Sequence, residues 1–263
     1  MIDRRQLLVA LTAIGLGVGL TSMSAEAATL AQIKSRGTIR VAVPEEFPPF
    51  GSVGPDMTLQ GLDIDVAKLL GAKLGVKVDL VPVLSTNRIP FLQAGRADIV
   101  ISSLGKNPER EKVIDFSQPY APFYNSVFGP DDVSVPDAAA LAGKSIAVTK
   151  GSIEDLDLTK VAPQGAIIKR YEDNNGTISA FLSGQTDLMA SGAVVANALM
   201  ERNPARKPKL KFNLKNSPVH VGFAKGTPDL QARINEILTE SKKDGSLNSL
   251  SQKWLKTDLP KDL

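Results

Sequence analysis

The sequence has no cysteine, a single histidine (His220) and a single tryptophan (Trp254), and it carries almost no excess charge of either sign. Without cysteine the chain has no disulfide, no thiolate nucleophile and no lipid-bearing cysteine. One histidine rules out a histidine cluster for a metal, and no Ser/His/Asp order or phosphate-cradling loop is found. Basic and acidic residues number 31 and 28 and are interspersed, a balance without the footprint of a nucleic-acid-binding surface. The one dense basic stretch, Arg202 to Lys211, contains Pro204 and Pro208 and reads as a solvated loop.

Long apolar runs are also lacking after the first residues. Near the start, Arg4 and Arg5 precede an apolar stretch from Leu7 to Leu20, and small residues follow at Ala25, Ala27 and Ala28. That order predicts a secretory leader with an A-x-A cleavage site, too short and Gly-rich for a membrane span. Cleavage after Ala27 leaves 263 − 27 = 236 residues. The arginine pair raises the twin-arginine route, but Gln6-Leu7-Leu8 matches it loosely and ordinary secretion is the expectation. The mature chain is then expected to be soluble and periplasmic. Without disulfides it depends on its own core, which a chain of this length can supply as one or two domains.

From Gly37 onward, strand and helix patterns alternate. Thr38 to Val43 is β-branched, Asp63 to Leu74 has apolar residues at helical spacing, and Val76 to Val83 returns to strand. Ile89 to Ala94 is helical and Ala97 to Ser102 is an apolar strand. Near Lys144 the order restarts, with strands at 145–151, 166–171 and 186–191 separated by helices. The halves echo each other. Ala94-Gly95-Arg96-Ala97-Asp98-Ile99 is matched by Ser183-Gly184-Gln185-Thr186-Asp187-Leu188, a helix stopped at Gly and a strand opened by Asp. Two α/β lobes of this kind face each other across a cleft, and ligands bind at the carboxyl ends of such strands.

Just past one of those ends stands Asn107-Pro108-Glu109-Arg110. Asn107 is an N-cap, Pro108 suits the first helical position and Glu109 suits the positive end of the dipole. Arg110 does not suit it, unless it and the free N–H groups hold an anion together.

These motifs resemble those of the family 3 (polar amino acid) solute-binding proteins of bacterial ABC importers. The resemblance rests on Phe47-Pro48-Pro49-Phe50, Gly61-Leu62-Asp63-Ile64-Asp65-Val66-Ala67, Gly95-Arg96-Ala97-Asp98-Ile99-Val100-Ile101-Ser102, Asn107-Pro108-Glu109-Arg110 and Asp115-Phe116-Ser117-x-Pro119-Tyr120, in family order over essentially the whole mature chain. It implies an α/β, two-lobed periplasmic-binding-protein fold (type II) with two crossover strands and a cleft between the lobes. Lobe 1 would take residues 28–125 and a return segment 218–263, helical from Leu230 onward, and lobe 2 residues 126–217. It also implies capture of a small carboxylate-bearing solute, an amino acid or derivative, by lobe closure. The partners would be that solute and an inner-membrane ABC permease. The protein would be a monomer that binds no nucleic acid and needs no cofactor or metal.

By the same resemblance Arg110 clamps the carboxylate, and Gly151 and Ser152 at a helix start answer it from lobe 2. Phe47 and Phe50 fall where family members place rings on the ligand, and Phe50 could equally anchor its loop. Ser85 falls where an aromatic or apolar residue packs on the ligand, and Ser103 would present its carbonyl to an ammonium. The chain departs from the pattern at Gly105, where a hydroxyl is usual, and at Gly192, where lobe 2 commonly supplies an Asp for the ammonium. A buried ammonium without a counter-charge is costly. Either Glu154 (or, second, Glu46) replaces that acid, or the ligand lacks an ordinary α-ammonium. Lys106 either meets an acidic ligand group or snorkels outward. Trp254 reads as core packing, and His220 in an apolar strand as packed and hydrogen-bonded.

Two other readings share the fold. A cyclohexadienyl dehydratase-like enzyme would have to work through Glu154 or Glu46. The sensing domain of a receptor or channel would need membrane or signalling segments, for which the sequence shows no pattern.

Overall fold

A computed structural model describes residues 27–263. The expected leader, with its Arg4–Arg5 start, lies outside the described residues. Among the described residues no helix is long and apolar enough to cross a membrane.

Two five-stranded sheets carry the fold, and they are built alike. In the first, Lys77–Pro82, Thr38–Val43 and Ile99–Gly105 run parallel, followed by Val219–Ala224 and Ile114–Ala121. In the second, Ile167–Tyr171, Ser145–Thr149 and Leu188–Gly192 run parallel, followed by Tyr124–Gly129 and Lys209–Asn216. In each sheet the fourth strand is the one that arrives from the other sheet, and it pairs antiparallel with both neighbours. The chain therefore passes between sheets twice, through Pro122-Phe123 and through Ser217-Pro218.

Local sequence explains the elements. Ile99–Gly105 is buried along its whole length, as its unbroken apolar and small-residue run requires of a central parallel strand. The edge strand Lys77–Pro82 alternates exposed and half-buried residues. Helix Leu62–Leu74 presses Ile64, Ala67, Leu70 and Leu74 onto the first sheet and stops at Gly75, whose φ of 73° is left-handed.

The sequence echo has one physical job in both halves. Asp98 accepts the Arg40 backbone N–H at 2.7 Å, binds the Arg40 guanidinium at 2.7 Å and also pairs with Arg36. Asp187 accepts the Ser145 N–H and hydroxyl, both at 2.8 Å. Each Asp thus ties the start of the third strand of its sheet to the neighbouring second strand.

Two segments gain detail. The basic stretch predicted as a loop is irregular through residues 202–208, and only its last three residues enter edge strand Lys209–Asn216, where lysines are tolerated. The segment expected to be helical from Leu230 onward forms two helices, Pro228–Lys243 and Ser246–Leu255, separated at left-handed Gly245. Trp254, half-buried on the second of these, packs against the first-sheet core and donates its Nε1–H to Asp65 at 2.8 Å. His220 is buried, with Nδ1 2.8 Å from the Ser117 carbonyl and its ring edge-on to Phe116.

Candidate ligand-binding site

Strand Ile99–Gly105 ends at the cleft, and Asn107 starts a new helix there by accepting the Arg110 N–H at 2.8 Å. The turn fixes where Arg110 points. Its guanidinium is buried and spans the two halves, donating to the Gly105 carbonyl at 2.7 Å and to the Gly151 carbonyl of the second at 3.0 Å. Burial, reinforced by the neighbouring Arg88 cation, lowers its pKa to about 10.

Arg110 lines a cavity of about 200 Å³ with Arg88, Ser85, Thr86, Ile89, Leu104 and Gly151. Arg88 was not singled out in the sequence, where it reads as a surface cation opening helix Arg88–Gln93. It is 4 % exposed, and its Nε is buried with no hydrogen-bond partner. Burial lowers its pKa, opposed through space by Glu154, Asp63, Tyr120 and Glu46. A guanidinium with a free donor in a wall shared with a second guanidinium is built to receive an oxyanion. Thr86 was also missed, since a hydroxyl in a single 3-10 turn, Ser85–Asn87, carries no sequence signal of its own.

The other expected residues divide into those at the cavity and those away from it. Ser85 and Gly151 line it, and Gly151 has a left-handed φ of 70°. Ser103 does not line it. Its backbone is left-handed (φ 38°), and its N–H donates at 2.7 Å to Asp63, which also accepts the Tyr120 hydroxyl at 2.6 Å. Burial raises Asp63 to about 7, against those hydrogen bonds. Gly105 meets Arg110 through its carbonyl only, and a Cβ there would come within 2.9 Å of both Ile153 and Ser217. The hydroxyl missing from this position has no room.

Three placements depart from the expectation. Ser152 was to offer a hydroxyl and an N–H, but the hydroxyl caps helix Ile153–Val161 through the Asp155 N–H at 3.1 Å, and its N–H donates to Thr149 at 3.2 Å. Phe47 was to present its ring to the ligand, and Phe50 either to do the same or to anchor its loop. They pack instead against each other and Phe123, with ring centroids 5.5–6.2 Å apart, because burying three rings together removes more apolar surface from water than lining a polar cavity. Glu154 is buried and does not line the cavity. Burial pushes its pKa up, while its own N–H, Ser152 and the two arginines hold it down.

Glu46 accepts the Asn174 N–H at 3.1 Å, joining the loop of the first half to the helix start Asn174–Leu182 of the second. Lys106 points outward and pairs with Glu111 at 2.7 Å, both half-exposed. At Gly192 any Cβ would overlap the Phe123 ring. Two larger grooves, of about 660 and 560 Å³, lie between helix Ala193–Glu201 and the Pro48 and Ser52 segment of the first half, and neither reaches Arg88 or Arg110.

Comparison with known proteins accords with this architecture. The sequence profile of the bacterial extracellular solute-binding proteins, family 3, matches residues 39–257. The L-cystine-binding protein TcyJ of Escherichia coli K12 is 28 % identical over 260 residues, 98 % of this chain and 97 % of TcyJ. The crystal structure of a solute receptor for L-cysteine from Neisseria gonorrhoeae superposes with a TM-score of 0.82 at 29 % identity, covering 87 % of this chain and 94 % of that one. An ancestral amino acid-binding protein, AncCDT-1, described as a precursor of cyclohexadienyl dehydratase, gives 0.80 at 31 % identity, covering 87 % of this chain and 100 % of its own. The chain, with two lobes and a cleft between them, belongs to the bacterial extracellular solute-binding proteins of family 3.

Proposed function

We propose that this protein is the solute-capturing component of an ABC importer. It binds a small carboxylate-bearing solute of the amino-acid kind and closes its lobes over it. Residues 28–125 and 218–263 act as one lobe and residues 126–217 as the other. After export and removal of the leader near Ala27, the monomer works in the periplasm and presents its closed form to an inner-membrane permease.

The observation that carries this reading is Arg110, a buried cation of one lobe reaching the Gly151 carbonyl of the other beside the unpartnered Arg88 Nε. An anion between these guanidiniums is bound best when both lobes surround it, so closure is favoured only in the liganded state. Names and titles of relatives that specify cystine, cysteine or amino acids support the solute class. Of the two acids through which an enzyme would have to work, Glu46 is hydrogen-bonded to the Asn174 N–H and Glu154 does not line the cavity, which favours binding over proton transfer.

The test is native mass spectrometry of the purified mature protein, then thermal shift against amino acids, their 2-oxo counterparts and other small carboxylates. A saturable rise in Tm that disappears in Arg110→Ala supports the proposal. The absence of any rise, or an equal rise in the variant, contradicts it.

A further inference from the structure

Arg110 is one polar side chain that reaches from the first half to the second, and Glu46 is another. Glu46 lies outside the 200 Å³ cavity, on the short strand Glu46–Phe47. That strand pairs with Gly51 and Ser52, and its other residue, Phe47, is buried against Phe50 and Phe123. Pairing and ring burial together fix where the Glu46 carboxylate points.

It points at the start of helix Asn174–Leu182, where backbone N–H groups have no partner within the helix. The N-cap Asp173 accepts one of them, the Gly176 N–H, at 2.6 Å. The Asn174 N–H goes to Glu46 Oε1 at 3.1 Å, with Asn174 Nδ2 at 3.4 Å from the same oxygen. A carboxylate of one half thus completes the cap of a helix in the other. Asn174 passes the contact on, because its Oδ1 accepts the Thr149 hydroxyl at 2.7 Å. Thr149 closes strand Ser145–Thr149, two residues before Gly151, whose carbonyl takes Arg110. The Glu46 and Arg110 contacts therefore hold the same strand end. The charge of Glu46 is not what the contact needs. Burial raises its pKa, and Asp173 and Glu45 add to this against the Asn174 N–H, so the acceptor oxygen is the useful part.

We propose that Glu46 is a positioning residue for solute capture, which docks the two lobes by capping the second-lobe helix at Asn174 and so sets the Gly151 turn opposite Arg110. The inference rests on the solute-capture reading and deepens it. Glu46 acts through Asn174, Thr149 and Gly151 rather than by touching the solute.

Calorimetry with the tightest binder among L-cystine, L-cysteine, L-glutamate and pyruvate tests the consequence. In the open protein water serves the Asn174 N–H, so loss of Glu46 falls on closure. Glu46→Ala is expected to weaken binding about 5- to 30-fold and to keep the Tm of the protein measured without solute. Glu46→Gln, which retains the acceptor, is expected to restore affinity to within about threefold of wild type. Wild-type affinity in the alanine variant overturns the proposal, and so does a glutamine variant as weak as the alanine one. Removing the donor gives the reciprocal test. Proline suits a first helical position, has no N–H, and is accommodated by the extended backbone of Asp173. Glu46→Ala/Asn174→Pro is expected to bind no more weakly than Asn174→Pro alone, and additive losses overturn the proposal. Hydrogen exchange at the Asn174 amide reads the contact itself, with and without the probe. Exchange is expected to be at least about fivefold faster in Glu46→Ala than in wild type or Glu46→Gln, and equal rates in both conditions overturn the proposal. If no probe binds wild type, the capture reading fails on its own test, and the exchange rates still decide the Glu46 contact.

Discussion

Replacing Gly105 by threonine places a side chain on the seam between the lobes. Gly105 ends the central strand of the first sheet, and a Cβ built on it comes within 2.9 Å of Ile153 Cγ1, 3.1 Å of Ile153 Cβ and 2.9 Å of Ser217 Oγ. Ile153 opens the second-lobe helix and is 1 % exposed, and Ser217 lies in the return crossover. Packing extra atoms into such a site costs about 1–3 kcal/mol. Because Ile153 belongs to the opposite lobe, parting the lobes relieves much of that overlap without unfolding either sheet. The cost therefore falls mainly on closure, and ligand affinity should drop by roughly 5- to 140-fold. Calorimetry with the acid identified in the thermal-shift series measures the loss, and small-angle scattering of the liganded protein should show a more open particle. The reasoning is refuted if affinity is unchanged, or if the ligand-free protein loses as much stability as the complex does.

The remaining predictions concern charge. Asp63 sits near 7 when folded, above its ordinary value of 3.8, so the folded state binds a proton that the unfolded state has released between those values. Its contribution to stability should therefore decline as pH rises from about 4 to 7, by up to about 1.4 kcal/mol per pH unit, and level off above 7. Urea titrations of wild type and Asp63→Asn over that range should diverge accordingly, and parallel curves would contradict the assignment. Asp98→Ala frees a backbone N–H and two guanidiniums at the first sheet and should cost about 2–4 kcal/mol. Asp187→Ala, which loses only its bonds to Ser145, should cost less, and urea unfolding ranks the two. Arg88→Met removes a buried cation and should raise the Tm of the ligand-free protein while weakening acid binding at least about tenfold. A lower Tm with unchanged binding would make Arg88 a structural residue only.

What the sequence made legible was local. Asn107, Pro108 and Arg110 announce a helix start with a cation where the dipole disfavours one, and the Gly-to-Asp echo marks two strand openings with the same backbone bond. Arg88 was not legible, because a cation at a short helix start has a surface reading and its burial arises only in the folded chain. Phe123 reads as a crossover residue between Pro122 and Tyr124, and only folding brings it onto Gly192. Ser152 was legible as a helix cap and as a ligand donor alike. Its hydroxyl is committed to the nearby Asp155 N–H, one of the orphan donors of the helix start. The loop expected from Arg202 to Lys211 is seen over residues 202–208, and only its end was illegible, because an edge strand rich in lysine has loop-like composition.

The most direct test of the account is calorimetric titration of wild type and Arg110→Ala with the tightest-binding acid, with circular dichroism confirming that the variant is folded. Removing one side of a desolvated charge pair costs about 2–5 kcal/mol, so affinity should fall at least about 30-fold while the spectrum is retained. A folded variant with wild-type affinity would show that the solute is not held between Arg110 and the second lobe.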